Sequence, residues 1–290
     1  MSKKTVFGLL LASVGAGCFL VGNREVKVNK KELYCPRLPI SFEGKRLLIL
    51  SDLHKKRYGD SFNNLMAYCK CQSPDYIFFL GDLFSRDETD MRPKAYFMSC
   101  LQSIAPTYYI VGNHELFQPE CLAALCEKLK QMGVTVLCNQ KIKLTQNSEH
   151  INLYGLKLPL RYYINSSWHY SDLPVPSADY LESKLGKAEK DQCNFLLAHN
   201  PFFFEQYAQW GADVTFSGHC HGGIVRIPLI GGVLSPERKF FPKYTKGIYN
   251  SKIYAQQRKL VVTSGLGKLR FNNPSEILIC TLRKGREKNA

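Results

Sequence analysis

Five short polar blocks, each directly after a β-rich run, constrain this 290-residue chain more than any other feature. Each run is apolar and leads into Asp, His or Asn, so each block is expected in the loop after a strand. In chain order, the blocks are Asp52-Leu53-His54, Gly81-Asp82, Gly112-Asn113-His114-Glu115, Ala198-His199-Asn200 and Gly218-His219-Cys220-His221. Open α/β sheets bind ligands at the carboxyl ends of their strands, so the pattern predicts one site that only the folded chain can assemble.

Helical patterns separate several of these runs, and the alternation predicts an α/β layered sheet. The predicted strands cover residues 47–50, 76–80, 107–111, 142–144, 151–156, 194–198, 214–217, 260–264 and 276–282. The predicted helices cover roughly residues 60–71, 93–103, 119–132 and 202–210. The sequence contains no internal repeat, and this favours a single catalytic domain.

The side chains in the five blocks are those that hold metals. Five of the seven histidines lie in them. Neutral imidazole binds Zn, Fe, Mn and Ni, while Asp and Asn supply hard oxygen donors. A mixed oxygen and nitrogen set is the pattern of a two-metal hydrolase site.

Composition narrows the class of protein without naming a partner. A hydrophobic content of 45% and a charged content of 22% indicate a globular chain with a full core. The net charge of +15 suits nucleic acid, an anionic membrane surface or a phosphorylated substrate, but it is equally compatible with a role in solubility alone. The 11 cysteines are odd in number and lack the spacing of structural zinc sites, which favours free thiols in a reducing compartment.

The amino-terminal segment predicts a membrane anchor. Residues 6–22 are uncharged and apolar, close to the short limit of about 17 residues for a span. Basic residues are more numerous after this run than before it, so the positive-inside bias predicts a single-pass cell-membrane protein with a cytoplasmic catalytic domain. A cleaved signal, a lipid-modified Cys18, a buried first helix and an extracytoplasmic domain are the alternatives.

We therefore divide the chain into four parts. Residues 1–22 form the anchor or signal-like helix, and residues 23–45 form a linker and an edge strand. Residues 46–284 form the catalytic domain, and residues 285–290 form a tail. The aromatic stretches at residues 161–170 and 240–254 are candidates for a rim over the site, which would suit a lipid-like substrate.

In this order, the five blocks resemble the signature of the calcineurin-like metallophosphoesterase superfamily: D-x-H, G-D, G-N-H-E/D, H and G-H-x-H. The chain also resembles a bacterial branch of membrane-attached phosphodiesterases, through Leu-Ala-His-Asn-Pro at 197–201, Ser-Gly-His-Cys-His-Gly-Gly at 217–223 and Ser-Gly-Leu-Gly-Lys-Leu-Arg-Phe at 264–271. The branch usually has Thr where this chain has Cys220. The resemblance implies a four-layer α/β/β/α sandwich of two mixed sheets with flanking helices.

The resemblance also implies a role for each site residue. Three of them, Asp52, His54 and His221, would bind a first metal ion. A second ion would be bound by Asn113, His199 and His219. The carboxylate of Asp82 would bridge the two ions, and His114 would face the substrate and donate a proton to the leaving group. The metals would be divalent Mn, Fe, Zn or Ni, sharing a hydroxide that attacks phosphorus.

The implied function is hydrolysis of a phosphodiester or pyrophosphate bond. Arg57 directly follows the first block and is a candidate to hold an anionic substrate at the rim of the site, with a solvated basic loop as the alternative. Arg270 is a candidate to contact the substrate phosphate. Arg270 has a second possible role, which is to brace the loop that carries His221. Some members of the branch act on UDP-2,3-diacylglucosamine, so a membrane-associated or lipid-linked substrate is expected. A nuclease, a cyclic-nucleotide phosphodiesterase and a non-catalytic scaffold are the alternatives. Nucleic acid stays open as a partner, and no protein partner is implied.

Overall fold

A computed structural model describes residues 17, 19, 25–59, 62–227, 229–268 and 270–286. Its strands are β1 (Val26–Cys35), β2 (Arg46–Leu50), β3 (Tyr76–Phe79), β4 (Thr107–Tyr109), β5 (Thr135–Val136), β6 (Gln140–Gln146), β7 (Glu149–Leu156), β8 (Asn194–Ala198), β9 (Val214–Ser217), β10 (Val225–Ile227), β11 (Gly231–Leu234), β12 (Gly247–Ser251), β13 (Ala255–Val262) and β14 (Ser275–Lys284). Its α-helices are α1 (Asn63–Cys71), α2 (Arg92–Gln102), α3 (Pro119–Gln131), α4 (Ala178–Leu185) and α5 (Phe204–Trp210).

Twelve of the strands form two six-stranded sheets, and both sheets are mixed. The first has the order β1-β14-β2-β3-β4-β5, and the second has the order β12-β13-β9-β8-β7-β6. In the first, β14 runs parallel to β1 but antiparallel to β2, while β2 to β5 are parallel. In the second, β7, β8, β9 and β13 are parallel, with β6 and β12 antiparallel at the two edges. The remaining strands, β10 and β11, pair as a separate hairpin.

The two sheets pack face to face with helices on their outer sides. Along β2, Leu47 and Ile49 lie in the core between the sheets, while Leu48 and Leu50 lie in the core under α1, α2 and α3. This alternation follows from the two-residue period of a strand. The opposite face of the second sheet packs against α4 and α5. The result is a four-layer arrangement in the order helix, sheet, sheet, helix.

The strand and helix predictions are confirmed for the central elements, with bounds that differ by a few residues. Helix α4 was not predicted, because its eight residues carry only a short apolar pattern, but Ser177 caps it by accepting a hydrogen bond from the N–H of Tyr180 at 3.1 Å. The hairpin β10–β11 was also missed. The alternation of apolar and polar residues along this hairpin is weak, since exposed positions such as Ile227 are apolar as well.

The predicted membrane helix falls almost entirely outside the described residues, which exclude 1–16, 18 and 20–24. Within the described chain, no helix combines the length and apolar character that crossing a bilayer requires. The cysteines that the structure describes are all free.

Candidate metal centre

All five blocks meet at one edge of the double sheet. The first three follow β2, β3 and β4 of the first sheet, and the last two follow β8 and β9 of the second. Backbone hydrogen bonds tie these loops together. The N–H of Asp52 donates to Gly81 O at 3.0 Å, and the N–H of Gly218 donates to His199 O at 3.1 Å. Between the sheets, the N–H of His219 donates to the Asp52 carboxylate at 3.2 Å.

Five of the predicted site residues have a left-handed backbone conformation. Their φ angles are 54° for Asp52, 50° for His54, 52° for Asp82, 67° for His219 and 50° for His221. For residues other than glycine this region costs free energy, and it is tolerated where the surrounding structure fixes the loop. Because five residues with this strained conformation lie at one edge of the double sheet, the loops there are shaped for a functional site rather than for stability.

The first cluster of possible metal donors consists of Asp52, His54, Asp82 and His221, whose ligand atoms lie within 4.8 Å of one another. The Nε2 atoms of His54 and His221 are 3.1 Å apart. Nε2 of His221 is 3.5 Å from Asp52 Oδ1, and Nε2 of His54 is 3.7 Å from Asp82 Oδ2. These distances leave room for one cation among four donors.

The second cluster consists of Asp82, His199 and His219, and it meets the same distance criterion. Nε2 of His199 lies 3.3 Å from Asp82 Oδ2. The side chain of Asp82 therefore belongs to both clusters. Only a carboxylate has two oxygens with which to span two cations, so the shared residue has the chemistry that a bridging position needs.

Two buried polar atoms support the fit to metal ions. Neither Oδ1 of Asn113 nor Nε2 of His199 has a hydrogen-bond partner among the described residues, although Asp82 lies near the latter. Nδ1 of His199 is 2.5 Å from the carbonyl of Leu80. When Nδ1 donates to that carbonyl, the lone pair of Nε2 faces the cluster, which is the usual orientation of a metal-binding imidazole. Buried polar atoms without partners are rare, and a cation would satisfy both.

The electrostatics of the cluster suit cations. Burial alone would raise the pKa of Asp52 and of Asp82, but His221 and His199 hold these pKa values below the usual range. Both carboxyl groups are therefore ionised at neutral pH. Burial lowers the pKa of His54 to about 3, so its imidazole is neutral, as a ligand must be. For His199, burial would lower the pKa, but Asp82 raises it to about 9. A metal ion would take the place of that proton.

The carboxyl group of Glu115 holds two loops of the site together. It is fully buried and accepts hydrogen bonds from the N–H groups of Asp82 (3.1 Å), Leu83 (2.5 Å) and Gly112 (3.0 Å), and from the hydroxyl of Tyr109 (3.2 Å). Burial and the charge of Asp82 raise the pKa of Glu115 to about 8. Four donors converge on its two oxygens, so this residue fixes the loops and is not a ligand.

Two further residues contact the site and were missed from the sequence. Glu237, 3% exposed, has Oε1 at 2.9 Å from Nε2 of His219 and Oε2 at 3.0 Å from the Lys239 ammonium. Lys94, also buried, donates to the carbonyl of His54 and pairs with Glu88 at 3.3 Å. No spacing signal could have found Glu237, which lies 18 positions after His219 in a separate loop.

The clusters lie at the base of a cavity of about 770 Å³. The ring of His114 lines it and meets the ring of His54 edge-on at 4.5 Å. The N–H of Arg86 lies 3.4 Å from Nδ1 of His114. Because Nδ1 accepts this bond, the proton of the neutral ring lies on Nε2. Burial lowers the pKa of His114, so this neutral form prevails at pH 7.

Basic side chains surround the cavity, which is lined by Lys55, Lys56, Arg86 and Lys268. Burial lowers the pKa of Lys56 to about 7. Arg57 is exposed and is not among the described residues that line the cavity.

The guanidinium of Arg270 is fully buried and does not line the cavity. It donates to the carbonyls of Gly267 (2.6 Å), His221 (3.1 Å) and Ser264 (2.5 Å). Of its two predicted roles, these contacts favour bracing of the loop that carries His221 over contact with substrate.

Fold and site together define a dinuclear metal-dependent hydrolase. A family model described as calcineurin-like phosphoesterase matches residues 45–223, and the chain belongs to this family. It is therefore a metal-dependent phosphoesterase, whose centre holds two divalent metal ions.

Two relatives and one solved structure illustrate the likeness. "Phosphodiesterase YaeI" of Escherichia coli K12 is 27% identical over 244 residues, 82% of each chain. "Transmembrane protein with metallophosphoesterase domain" of zebrafish is 25% identical and covers 97% of this chain, which spans 63% of the zebrafish protein. The crystal structure of the Thermus thermophilus protein TT1561 has a TM-score of 0.50 at 12% identity and covers 78% of this chain and 90% of that one, a likeness of fold alone.

Proposed function

We propose that this phosphoesterase hydrolyses a phosphodiester or pyrophosphate bond in a lipid-linked substrate, of which UDP-2,3-diacylglucosamine is an example. The observation that carries the proposal is the position of Asp82 in both donor clusters, at the base of a cavity with a basic rim and apolar walls. Two cations a short distance apart can hold both sides of a phosphoryl group during an in-line displacement. The rim attracts the anionic group, and the walls accommodate apolar chains.

We assign the ligands as follows. Asp52, His54 and His221 hold one metal ion, with Asp82 shared. The other ion is held by Asn113, His199 and His219. When bound, the two ions lower the pKa of water and polarise the phosphoryl oxygens. The donor clusters supply all of these ligands except Asn113, whose unpartnered Oδ1 is the reason for including it.

The chain's own residues orient the substrate and move the proton. Arg86 and Lys268 on the cavity wall neutralise phosphate charge. The protonated form of His114, on the cavity wall, donates a proton to the leaving-group oxygen and becomes the neutral imidazole. Glu115 keeps the loops of Asp82 and Gly112 in register, so the bridging carboxylate stays in place without reorganisation.

Three observations favour a lipid-linked substrate. Tyr170, Ile224 and Pro236 supply apolar surface to the cavity beside its basic rim. The apolar run at residues 6–22 supports attachment to the cell membrane, and the zebrafish relative is named a transmembrane protein. We propose residues 1–22 as the anchor, residues 46–284 as the catalytic domain and the cytoplasm as its side, because basic residues follow the apolar run.

The test uses the purified full chain in detergent with Mn²⁺. Bis-(p-nitrophenyl) phosphate measures phosphodiesterase activity, and a panel of UDP-2,3-diacylglucosamine, single-stranded DNA and cyclic AMP compares substrates. Asp82→Asn should abolish turnover on every substrate. The matched control is Asp191→Asn, an exposed aspartate that precedes β8 at the end of the sheet away from the cavity, and it should leave turnover unchanged.

A kcat/KM for the nucleotide-sugar lipid well above that for DNA and cyclic AMP supports the proposal. Preference for DNA or cyclic AMP would instead support the nuclease or cyclic-nucleotide alternative. Wild-type turnover by Asp82→Asn would overturn the assignment of the bridging ligand.

A further inference from the structure

A protruding hairpin exposes large apolar side chains next to the active-site cavity. Strands β10 and β11 lead to a tip at which Leu229 is 108% exposed and Ile230 is 62% exposed. The chain then turns and runs back along β11, where Phe240 is 73% exposed and Phe241 is 66% exposed. Soluble proteins rarely expose such a cluster unless it binds something.

These side chains belong to one surface. The N–H of Phe241 donates to Val233 O at 2.8 Å, and Phe240 forms a bridge with Leu234, so the returning segment lies beside β11. From Phe241 the segment continues towards the tip, where Pro242 and Lys243 line the same surface hollow as Leu229 and Ile230. We call the exposed set of Ile227, Leu229, Ile230, Phe240 and Phe241 the hairpin face.

The charges around the hairpin face have an excess of positive sign. Residues 224–250 contain five Lys or Arg, namely Arg226, Arg238, Lys239, Lys243 and Lys246. Their one acid, Glu237, is 3% exposed and pairs with Lys239. Two acids of neighbouring elements also reach this set, Glu205 at 3.9 Å from Lys243 and Glu276 at 3.0 Å from Lys246, so five cations face three acids. The surface is therefore apolar at its centre and cationic at its margin.

We propose that the hairpin face docks onto an anionic lipid bilayer. Apolar side chains of this size bury themselves at the boundary between headgroups and acyl chains, while Lys and Arg attract anionic headgroups. A second copy of the chain is a poorer occupant, because a two-fold interface would bring the same cationic margins together.

Docking in this way would bring the active site to the membrane surface. The hairpin begins directly after the block that ends in His221, and two residues at its base, Ile224 and Pro236, line the cavity. The opening of the cavity is thereby held beside the lipid headgroups. The inference goes beyond the proposed function, since binding to the bilayer requires no turnover and no particular phosphoester.

The test must separate the hairpin from the apolar run at residues 6–22, which would itself bind membranes. We therefore choose position-specific quenching in the full chain. Leu229→Trp is reconstituted with vesicles that contain brominated phosphatidylcholine and phosphatidylglycerol, and its fluorescence is compared with that of the wild type, which has two Trp residues.

The matched control is Ile40→Trp, at a position that is 61% exposed. The N–H of neighbouring Ser41 donates to Glu149, the first residue of β7, and β7 runs parallel to β8. Ile40 thus lies at the end of the double sheet away from the metal centre. The proposal predicts strong quenching of the residue at position 229, little quenching at position 40, and a loss of the difference when phosphatidylglycerol is omitted.

A second variant measures the energetic role of the face. Leu229→Ser combined with Ile230→Ser, introduced together with Phe240→Trp, should strongly reduce quenching by brominated lipid at position 240 relative to Phe240→Trp alone, because two large apolar side chains no longer hold the hairpin in the bilayer. Turnover of bis-(p-nitrophenyl) phosphate should be unchanged, which shows that the variant is folded.

Equal quenching at positions 229 and 40 would overturn the proposal. It would also be overturned if the wild type formed dimers without lipid and the double serine variant remained monomeric, since the face would then be an interface between two copies.

Discussion

Substitution of Gly112 should displace the carboxylate of Asp82, which belongs to both donor clusters. A Cβ added there would lie 2.9 Å from Cγ of Asp82 and closer still to its Oδ1 and N atoms. Non-bonded carbons pack at about 3.5–4.0 Å, so in Gly112→Ala the carboxylate must move by roughly 0.6–1.1 Å. A misplacement of about 1 Å at a reacting centre can cost about 100-fold in rate. We expect a fall in kcat of that order, together with loss of bound metal.

Two measurements check this prediction: turnover of bis-(p-nitrophenyl) phosphate with Mn²⁺, and metal content by elemental analysis. Gly155→Ala is the matched control, because its Cβ would overlap Leu137 in the core between the sheets without meeting a ligand. Both variants should lose about 1–3 kcal/mol of stability through overpacking, but only Gly112→Ala should lose metal. Wild-type kcat and metal content in Gly112→Ala would refute the reasoning, as would equal metal loss in both.

Three further outcomes are expected. His114→Ala should lower kcat by about 10²–10⁴-fold for substrates with poor leaving groups, and its metal content should be unchanged. The loss of kcat should be smaller when p-nitrophenolate is the leaving group, because this group needs less help from a proton donor. Equal losses across a series of leaving groups would contradict the role of His114 as proton donor. Chelation with EDTA should lower the Tm, and Mn²⁺ should restore it, because the metal binds only the folded site. Burial alone would raise the pKa of Glu276, but Lys246 and the N–H of Ser264 lower it. The stability contributed by Glu276 is therefore present above its unfolded pKa of about 4.5 and lost as pH falls through the folded value. Glu276→Gln should destabilise the protein in urea at pH 7 but much less at pH 3, and an equal difference at both would contradict this sign.

The strand-end motifs were predictable because they follow a local rule. A buried strand shows itself as an apolar run, and Asp52, Asp82 and His199 each come just after one. Chain order and the resemblance then implied which of them would meet, and the structure brings them together in two clusters that share Asp82.

Residues that support the site from a distance were not predictable in the same way. Glu237 and Lys94 reach His219 and His54 from segments with no periodic or spacing relation to the five blocks. Arg270 was expected to touch substrate or to brace a loop, and its burial among three carbonyls could only be seen once β13 and β14 were packed. The hairpin face was equally hidden, because an apolar run does not reveal whether anything covers it.

The sequence by itself thus determined the chemistry of this protein: an α/β fold with oxygen and nitrogen donors after successive strands, and two metal ions acting on a phosphoester. Tertiary structure alone decided which donors come together in each cluster, which carboxyl groups brace loops and which apolar residues stay exposed. The physical reason is the range of each signal. Backbone periodicity and loop chemistry act over a few neighbouring residues, while coordination, burial and desolvation depend on groups that meet only when two sheets close on each other.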